Sequence, residues 1–228
     1  MNKIKFIASL VFLFCLVGLN IYGQKKEITK EEFSEAYKKA GEKRGKLSHR
    51  IVSELFVYGD DEIKIKQNEK GFSEFVAPNR RRMFTEFQDN QLNKTFIFET
   101  IRIDDIEYKK DKNGVWTKKI FPKIQVPPHN KTTQSNAKHF LTGNIRLDNQ
   151  PADLFELEVE YNHQLTNPKT GEVSEHTTYR NEKRWISKDG LLLKIEMVDH
   201  KLNPAKTFSR RILSYEYDPN IKIEAPIK

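Results

Sequence analysis

The chain has a single cysteine, Cys15, among its 228 residues. Cys15 lies inside an apolar run near the amino terminus, and Phe14 stands before it, where the lipidation signal of a lipoprotein needs a small residue. We therefore expect Cys15 to be removed with a leader peptide. The remaining chain then has no thiol, which excludes disulfides, cysteine nucleophiles and cysteine-ligated metals.

Glycine is also scarce, with ten residues in the chain, and the motifs that depend on it are missing. There is no phosphate-binding loop, no dinucleotide fingerprint and no G-x-S-x-G motif. The six histidines show neither H-x-H nor H-E-x-x-H spacing, and the neighbours Glu175 and His176 would point to opposite faces of a strand. We expect no catalytic residues, no metal site and no cofactor, and predict that the protein is not an enzyme.

The amino terminus has the three parts of a secretory leader. Lys3 and Lys5 supply the positive charge, and the apolar run that follows ends at Leu19. The small residue Gly23 then precedes a polar segment. We predict a signal peptide over residues 1–23 and an exported bacterial protein, periplasmic or associated with the cell envelope. A signal anchor is the alternative, but the apolar run is shorter than the about 20 residues that span a bilayer, so the remaining chain is not expected to span a membrane.

Removal of the leader leaves 205 residues, which suits a single domain over residues 24–228. The whole chain has a net charge of +8, and its 40 basic and 32 acidic residues are interspersed. This pattern is typical of a soluble surface and, together with export, argues against nucleic acid as a partner. Contact with anionic lipid head groups is compatible with the charge.

One helix is predicted, from Thr29 to about Lys46. Thr29 and Glu32 have the spacing of a capping box at its start. Four residues fall on one apolar stripe: Phe33, Ala36, Tyr37 and Ala40. The stripe predicts a helix that packs on a sheet, with a helix lying on a membrane surface as the alternative.

Most of the remaining chain alternates apolar and polar residues with the period of a β-strand. Leu157 and Val159 share one face of such a strand, and Ile195 and Met197 repeat the pattern further on. Turn residues separate the strands, among them Lys70-Gly71, Lys188-Asp189-Gly190 and the strongest hairpin signal, Asn113-Gly114. The stretch from Pro122 to Asn149 looks like a long irregular excursion.

A single helix is too short to cover the apolar face of about ten strands. We therefore predict a mainly β fold, in which a curved antiparallel sheet forms a half-barrel with an N-terminal helix and few other helices. Its inner face is either packed core or an apolar cavity. An outer-membrane barrel is the alternative, but charged residues in mid-strand, such as Glu158 and Arg81, argue against a lipid-facing band.

Several segments carry a resemblance to a known family: the helix after the leader, the strands from Ile101 to Trp116, the turn from Trp185 to Lys194, and the end from Tyr215 to Pro219. Together they resemble the LolA/LolB-type superfamily of periplasmic proteins. The resemblance implies an incomplete barrel lidded by helices, with a cavity for acyl chains of lipids or lipoproteins. Related domains sense envelope stress, and a few members are enzymes of another kind. This chain shows fewer lid helices than the lipoprotein carriers.

The predicted function is to hold or carry a lipid or an acylated lipoprotein, and the alternative is an envelope protein-interaction or stress-sensing module without a ligand cavity. Burial of each CH₂ contributes about 0.8 kcal/mol, so acyl binding needs no polar motif. The candidate anion contacts are Arg80, Arg81 and Arg82, with a solvated strand start as the alternative. The candidate cavity residues are Phe96, Phe98, Trp116, Leu157, Val159, Tyr161, Trp185, Leu193, Ile195 and Met197.

Overall fold

The computed structural model describes residues 23–58, 65–120, 131–166, 172–201 and 207–227. Three predicted turns lie outside these ranges, at Asp60-Asp61, from Asn167 to Gly171, and at Asn203-Pro204. The predicted leader also lies outside them, except for its last residue, Gly23. The described elements are β1 (Lys25–Ile28), α1 (Lys30–Arg44), β2 (His49–Tyr58), β3 (Ile65–Val76), β4 (Arg80–Asp89), β5 (Lys94–Ile103), β6 (Ile106–Lys110), β7 (Trp116–Ile120), β8 (Lys131–Leu147), β9 (Gln150–Thr166), β10 (Val173–Ser187), β11 (Leu192–Lys201) and β12 (Thr207–Tyr217).

The described strands form one antiparallel sheet in the order β1-β8-β9-β10-β11-β12-β2-β3-β4-β5-β6-β7. The sheet consists of two meanders, β2 to β7 and β8 to β12, which are joined by the pairing of β2 with β12. β1 adds to the second meander by pairing with β8. β1 and β7 are the two edges, so the sheet stays open. The prediction of a mainly β fold with a curved half-barrel sheet and an N-terminal helix is confirmed.

Two details of the predicted strand pattern are wrong. Lys70-Gly71 is not a turn but lies inside β3, where a Cβ on Gly71 would collide with the carbonyl oxygen of Phe84 on the neighbouring strand. The second error concerns the stretch after Pro122, much of which forms the long strand β8. β8 carries two register shifts against β9, and Asn136 and Asn144 in them have positive φ angles of 52° and 58°. These irregularities interrupt the period of two, which hides the strand in the sequence.

The helix starts as its capping box predicts. The Glu32 amide donates to Thr29 Oγ1 at 3.1 Å, and the Thr29 amide donates to Glu32 Oε2 at 2.8 Å. The helix has 15 residues and is about 22 Å long. The four strand spacings from β8 to β12 add up to about 19 Å. The length of α1 therefore matches a path across this part of the sheet.

The contacts of α1 follow that path. Near its start, Phe33 lies with its ring 5.0 Å from that of His139 on β8. Near its end, Arg44 Nη1 donates to the hydroxyl of Tyr215 on β12 at 3.4 Å. We call the side of the sheet that α1 covers the helix face, and the other side the opposite face.

A second core lies on the opposite face, at the other end of the sheet. Ile101 and Tyr108 are buried there against Ile223 of the carboxyl-terminal segment. Ile101 and Tyr108 are cross-strand partners, so they share one face of the β5–β6 pair. The two ends of the sheet are thus covered on opposite sides, by α1 and by the chain terminus.

The capping box gives a first prediction. Thr29→Ala removes the side-chain acceptor for the Glu32 amide and is expected to lower the free energy of unfolding by about 1 kcal/mol in urea denaturation. The control is Ser34→Ala, since Ser34 is exposed within the same helix and alanine suits a helix interior. An equal loss of stability in both variants would contradict the role of the cap.

Two buried histidines give a prediction for pH. Burial lowers the pKa of His49 and also that of His139, whose pKa is lowered further by the charges of Lys30 and Arg184. The unfolded state therefore binds protons first as the pH falls through the ordinary histidine pKa of about 6.5. Stability conferred by the neutral rings is present at pH 7 and is lost as the pH falls towards 5.

The measurement is urea unfolding at a series of pH values between these limits. The wild type is expected to lose more stability than His139→Gln, which cannot gain a proton at this position. Parallel pH profiles for the two proteins would contradict the assignment to His139.

Candidate functional site

The half of the helix face under α1 is tightly packed. Val159 on β9 and Leu192 on β11 are both 0% exposed, and Ala40 of the helix packs directly on the cluster that contains Leu192. Five of the residues that the sequence nominated for a cavity lie in this half: Leu157, Val159, Tyr161, Ile195 and Met197. These side chains therefore form the contact between helix and sheet.

Charged side chains of β10 interrupt this apolar packing. Arg184 Nε donates to Glu182 Oε1 at 2.6 Å, and the guanidinium of Arg184 lies 3.8 Å from the centre of the Tyr37 ring. Further along the strand, Arg180 makes two hydrogen bonds to the carboxylate of Asp199, at 2.6 and 2.9 Å. Buried charges of this kind need paired, hydrogen-bonded partners, which the structure provides here.

The strand register extends the helix face beyond the helix. Residues opposite one another in antiparallel strands share a face. One row runs from Leu157 through Met197 and Leu55 to Phe96, and the next runs through Ile195 to Phe98. Phe96 and Phe98 therefore lie on the same face as the buried candidates, on strand β5 at the far end of each row.

The helix-face residues of β2 to β5 form what we call the trough. Small side chains occupy its middle, namely Ser53, Gly71, Ser73 and Thr85. Apolar side chains flank them: Leu55, Met83, Phe87, Phe96 and Phe98. The same face also carries charged residues, with Glu69 between Leu55 and Phe87, and with Arg81, Asp89 and Arg102 towards the ends of the strands. Because these small residues stand between larger ones, we expect a shallow, mainly apolar depression, with Arg81 beside Ser73 at one end.

The trough remains accessible to solvent. Met83 is 37% exposed, Phe96 is 41% exposed and Phe98 is 45% exposed. The rings of Phe87 and Phe96 lie 6.1 Å apart, which places two aromatic side chains side by side along its length. Large apolar side chains that are exposed together on one face are typical of a surface that binds an apolar ligand or a partner.

The trough ends at a partly free edge of β5. Among the described strands, β6 pairs only with Glu99 to Ile103 of β5, so Lys94 to Phe98 have a partner on the β4 side alone. A groove of about 680 Å³ lies along this edge, between β5 and the turn that joins β6 to β7. We call it the edge groove.

Three nominated residues lie away from the trough. Trp116 is the cross-strand partner of Lys110, and Lys110 is the partner of Glu99, so these three residues share the opposite face. Trp116 packs there in the second core. Trp185 lies between Arg184 and Ile186, which both point to the helix face, so it also faces the opposite side. Leu193 falls in a register shift between β10 and β11, where Leu192 takes the buried position instead.

The three arginines do not converge on one point. Arg82 binds Glu99 at 2.8 Å, and Arg80 donates to the carbonyl oxygen of Ile223 at 3.1 Å. Arg81 Nε donates to Ser73 Oγ at 2.9 Å, on the helix face. Neighbouring residues of a strand alternate between its faces, which separates Arg81 from the other two.

One close pair was not found by sequence reasoning. His163 of β9 and His176 of β10 are cross-strand partners, with ring centres 4.6 Å apart. Burial lowers the pKa of His176, and the charges of the nearby His163 and Lys201 lower it further. Symmetry about the centre of the predicted turn at Asn167 to Gly171 would pair His163 with Glu175, so it misses the observed pair by one residue.

The described residues contain no group of three or more histidine, cysteine or acidic side chains placed to hold a metal ion. In that same part of the chain, no helix combines the length and the apolar character needed to cross a membrane.

The search of solved structures finds distant similarities. One match is the crystal structure of LprF from Mycobacterium bovis, with 10% identity and a TM-score of 0.38 over 87% of this chain and 99% of that chain. Another is a domain described as an outer membrane lipoprotein-sorting protein from Vibrio parahaemolyticus, with 10% identity and a TM-score of 0.33 over 83% and 93% of the two chains. No protein-family model and no curated sequence matches.

The buried ion pair of β10 gives a third prediction. Arg184→Met leaves the Glu182 carboxylate buried without its cation, which is expected to lower the free energy of unfolding by about 3–5 kcal/mol. The double variant Arg184→Met with Glu182→Leu removes both charges and is expected to recover most of the loss. The measurement is urea denaturation of both variants.

The matched control is the exposed pair of Lys39 with Glu35 on α1, at 2.6 Å. Lys39→Met is expected to leave the free energy of unfolding nearly unchanged, because exposed ion pairs contribute little. If Arg184→Met were as mild as Lys39→Met, the buried pair would not stabilise the contact between helix and sheet.

Proposed function

We propose that the protein is an exported, non-enzymatic binding protein that holds the acyl chain of a lipid or lipoprotein in the trough. Its predicted leader supports export to the periplasm or cell envelope. The single observation that carries the proposal is the continuity of the helix face. The same rows of residues that form the buried core under α1 continue into exposed apolar side chains on β4 and β5.

The trough, not the helix-covered half, is the proposed binding surface. The space between α1 and the sheet is filled by packed side chains and by the Arg184–Glu182 pair. In the trough, by contrast, the small side chains of Ser53 and Thr85 lie between larger apolar neighbours. A flexible acyl chain can follow such a depression and bury the exposed faces of Phe96 and Phe98.

The expected affinity is moderate. Full burial of a CH₂ group contributes about 0.8 kcal/mol, so a palmitate chain lying half-buried in an open trough gains about 6 kcal/mol. This corresponds to a dissociation constant of roughly tens of micromolar. Such binding suits a carrier that must release its ligand, and tight retention would require further coverage.

The second candidate function is protein interaction without a lipid ligand. The free part of the β5 edge, from Lys94 to Phe98, favours it, because an exposed edge can accept an added strand from a partner. In that case the apolar side chains beside the edge would contact the partner rather than a lipid.

The proposal predicts that Phe96→Ser with Phe98→Ser weakens acyl binding about tenfold or more, since two apolar contacts are removed. The measurement is displacement of a fluorescent fatty acid by palmitate, with protein purified from cells that express the full chain. The matched control is Ile97→Ser. Ile97 lies between the two phenylalanines in the sequence and is also exposed, at 61%, but it points to the opposite face.

Two results would contradict the proposal. One is a wild-type protein that takes up no fatty acid while its circular dichroism shows a folded β structure. The other is an equal effect of Ile97→Ser and of the double phenylalanine variant, which would indicate a general effect on the β5 edge and would favour the protein-interaction function.

A further inference from the structure

Two neighbouring turns each present an apolar side chain to solvent. Leu92, in the turn between β4 and β5, is 61% exposed, and Val115, in the turn between β6 and β7, is 58% exposed. β5 starts directly after the first turn, and residues 109–112 together with Gly114 line the edge groove across from β5. The two turns therefore face the same end of the sheet, which we call the tip, with the β6–β7 turn starting level with Glu99 and the β4–β5 turn lying beyond Lys94.

An aspartate closes each turn in the same way. Asp89 Oδ1 accepts hydrogen bonds from the amides of Gln91 at 2.9 Å and Leu92 at 3.0 Å. Asp111 Oδ1 accepts from the amides of Asn113 and Val115, both at 2.8 Å. These bonds hold the backbone of both turns, so Leu92 and Val115 protrude from fixed positions rather than from loose loops.

Residues 89–94 and 109–115 contain four lysines and two aspartates, so the two turns with their flanks carry an excess of positive charge. Lys94, Lys109 and Lys112 are all exposed around the two turns. The nearest glutamate on β5, Glu99, is engaged by Arg82 at 2.8 Å and by Lys110 at 3.3 Å. The tip therefore combines protruding apolar side chains with exposed lysines that outnumber the aspartates of the turns.

We propose that the tip docks on the surface of an anionic lipid bilayer. Lysines near such a surface are attracted by phosphate head groups, and the attraction decays within a Debye length. Apolar side chains that project between the lysines can then enter the boundary between head groups and acyl chains. Weak membrane binding becomes stable when these two signals act together. This inference goes beyond the proposed function, because it concerns how the protein meets a membrane and not what the trough holds.

The test is co-sedimentation with vesicles of phosphatidylcholine containing phosphatidylglycerol, and with vesicles of phosphatidylcholine alone. Binding is expected only to the anionic vesicles and is expected to fall with added salt. Lys109→Gln with Lys112→Gln is expected to weaken it about tenfold. Leu92→Ser with Val115→Ser is expected to weaken it by a similar factor of about ten.

The charge-matched control is Lys38→Gln with Lys46→Gln, which removes two exposed lysines near α1, away from the tip. This control is expected to bind the anionic vesicles as the wild type does. Equal losses in the control and in the tip lysine variant would overturn the proposal, since net charge alone would explain them. Absence of vesicle binding, including the case in which the tip captures an acidic protein instead, would also overturn it.

Fatty-acid displacement, measured on the same protein preparations without vesicles, separates this inference from the proposed function. Leu92→Ser with Val115→Ser is expected to leave displacement unchanged while vesicle binding falls. Vesicle binding without fatty-acid uptake would support membrane docking by the tip and contradict acyl binding in the trough. Fatty-acid uptake without vesicle binding would contradict membrane docking alone.

Discussion

In the part of the chain that the structure describes, one short helix lies on a wide open sheet, and the rest of the structure depends on this constraint. α1 is about 22 Å long and reaches across the strands from β8 to β12. Beyond it, the sheet continues through β2 to β7 and must find other cover. The carboxyl-terminal segment covers part of this region from the opposite face, around Ile223. On the helix face of β2 to β5 the apolar side chains stay accessible, which creates the trough.

The polar side chains follow from the same constraint. On the opposite face of β2 to β6, charges of alternating sign form a cross-strand ladder in which the cations are partly exposed and the carboxylates are largely buried: Arg50, Glu74, Arg82, Glu99 and Lys110. Such a ladder makes one face of the sheet polar and solvated, while the other face remains available to apolar groups. Charges that fall under the helix are instead paired within the core, as Arg184 and Glu182 are. The sheet thus presents its accessible apolar surface mainly where no helix lies.

Local patterns in the sequence predict the local parts of the fold. The capping box at Thr29 and the turns at Gly114 and Gly190, with φ angles of 82° and 80°, each depend on a few adjacent residues. The pairing of β1 with β8 and of β12 with β2 depends on distant segments, so no local pattern reveals which strands α1 covers. For the same reason the sequence grouped Trp116 with Phe98, although the register places them on opposite faces.

Native mass spectrometry of the protein purified from cells that express the full chain tests the central claim most directly. The account predicts a species that carries one acyl-containing molecule per chain, either co-purified or after addition of palmitate. A folded protein that remains free of ligand under both conditions would contradict the account, and the trough would then be a surface for a protein partner.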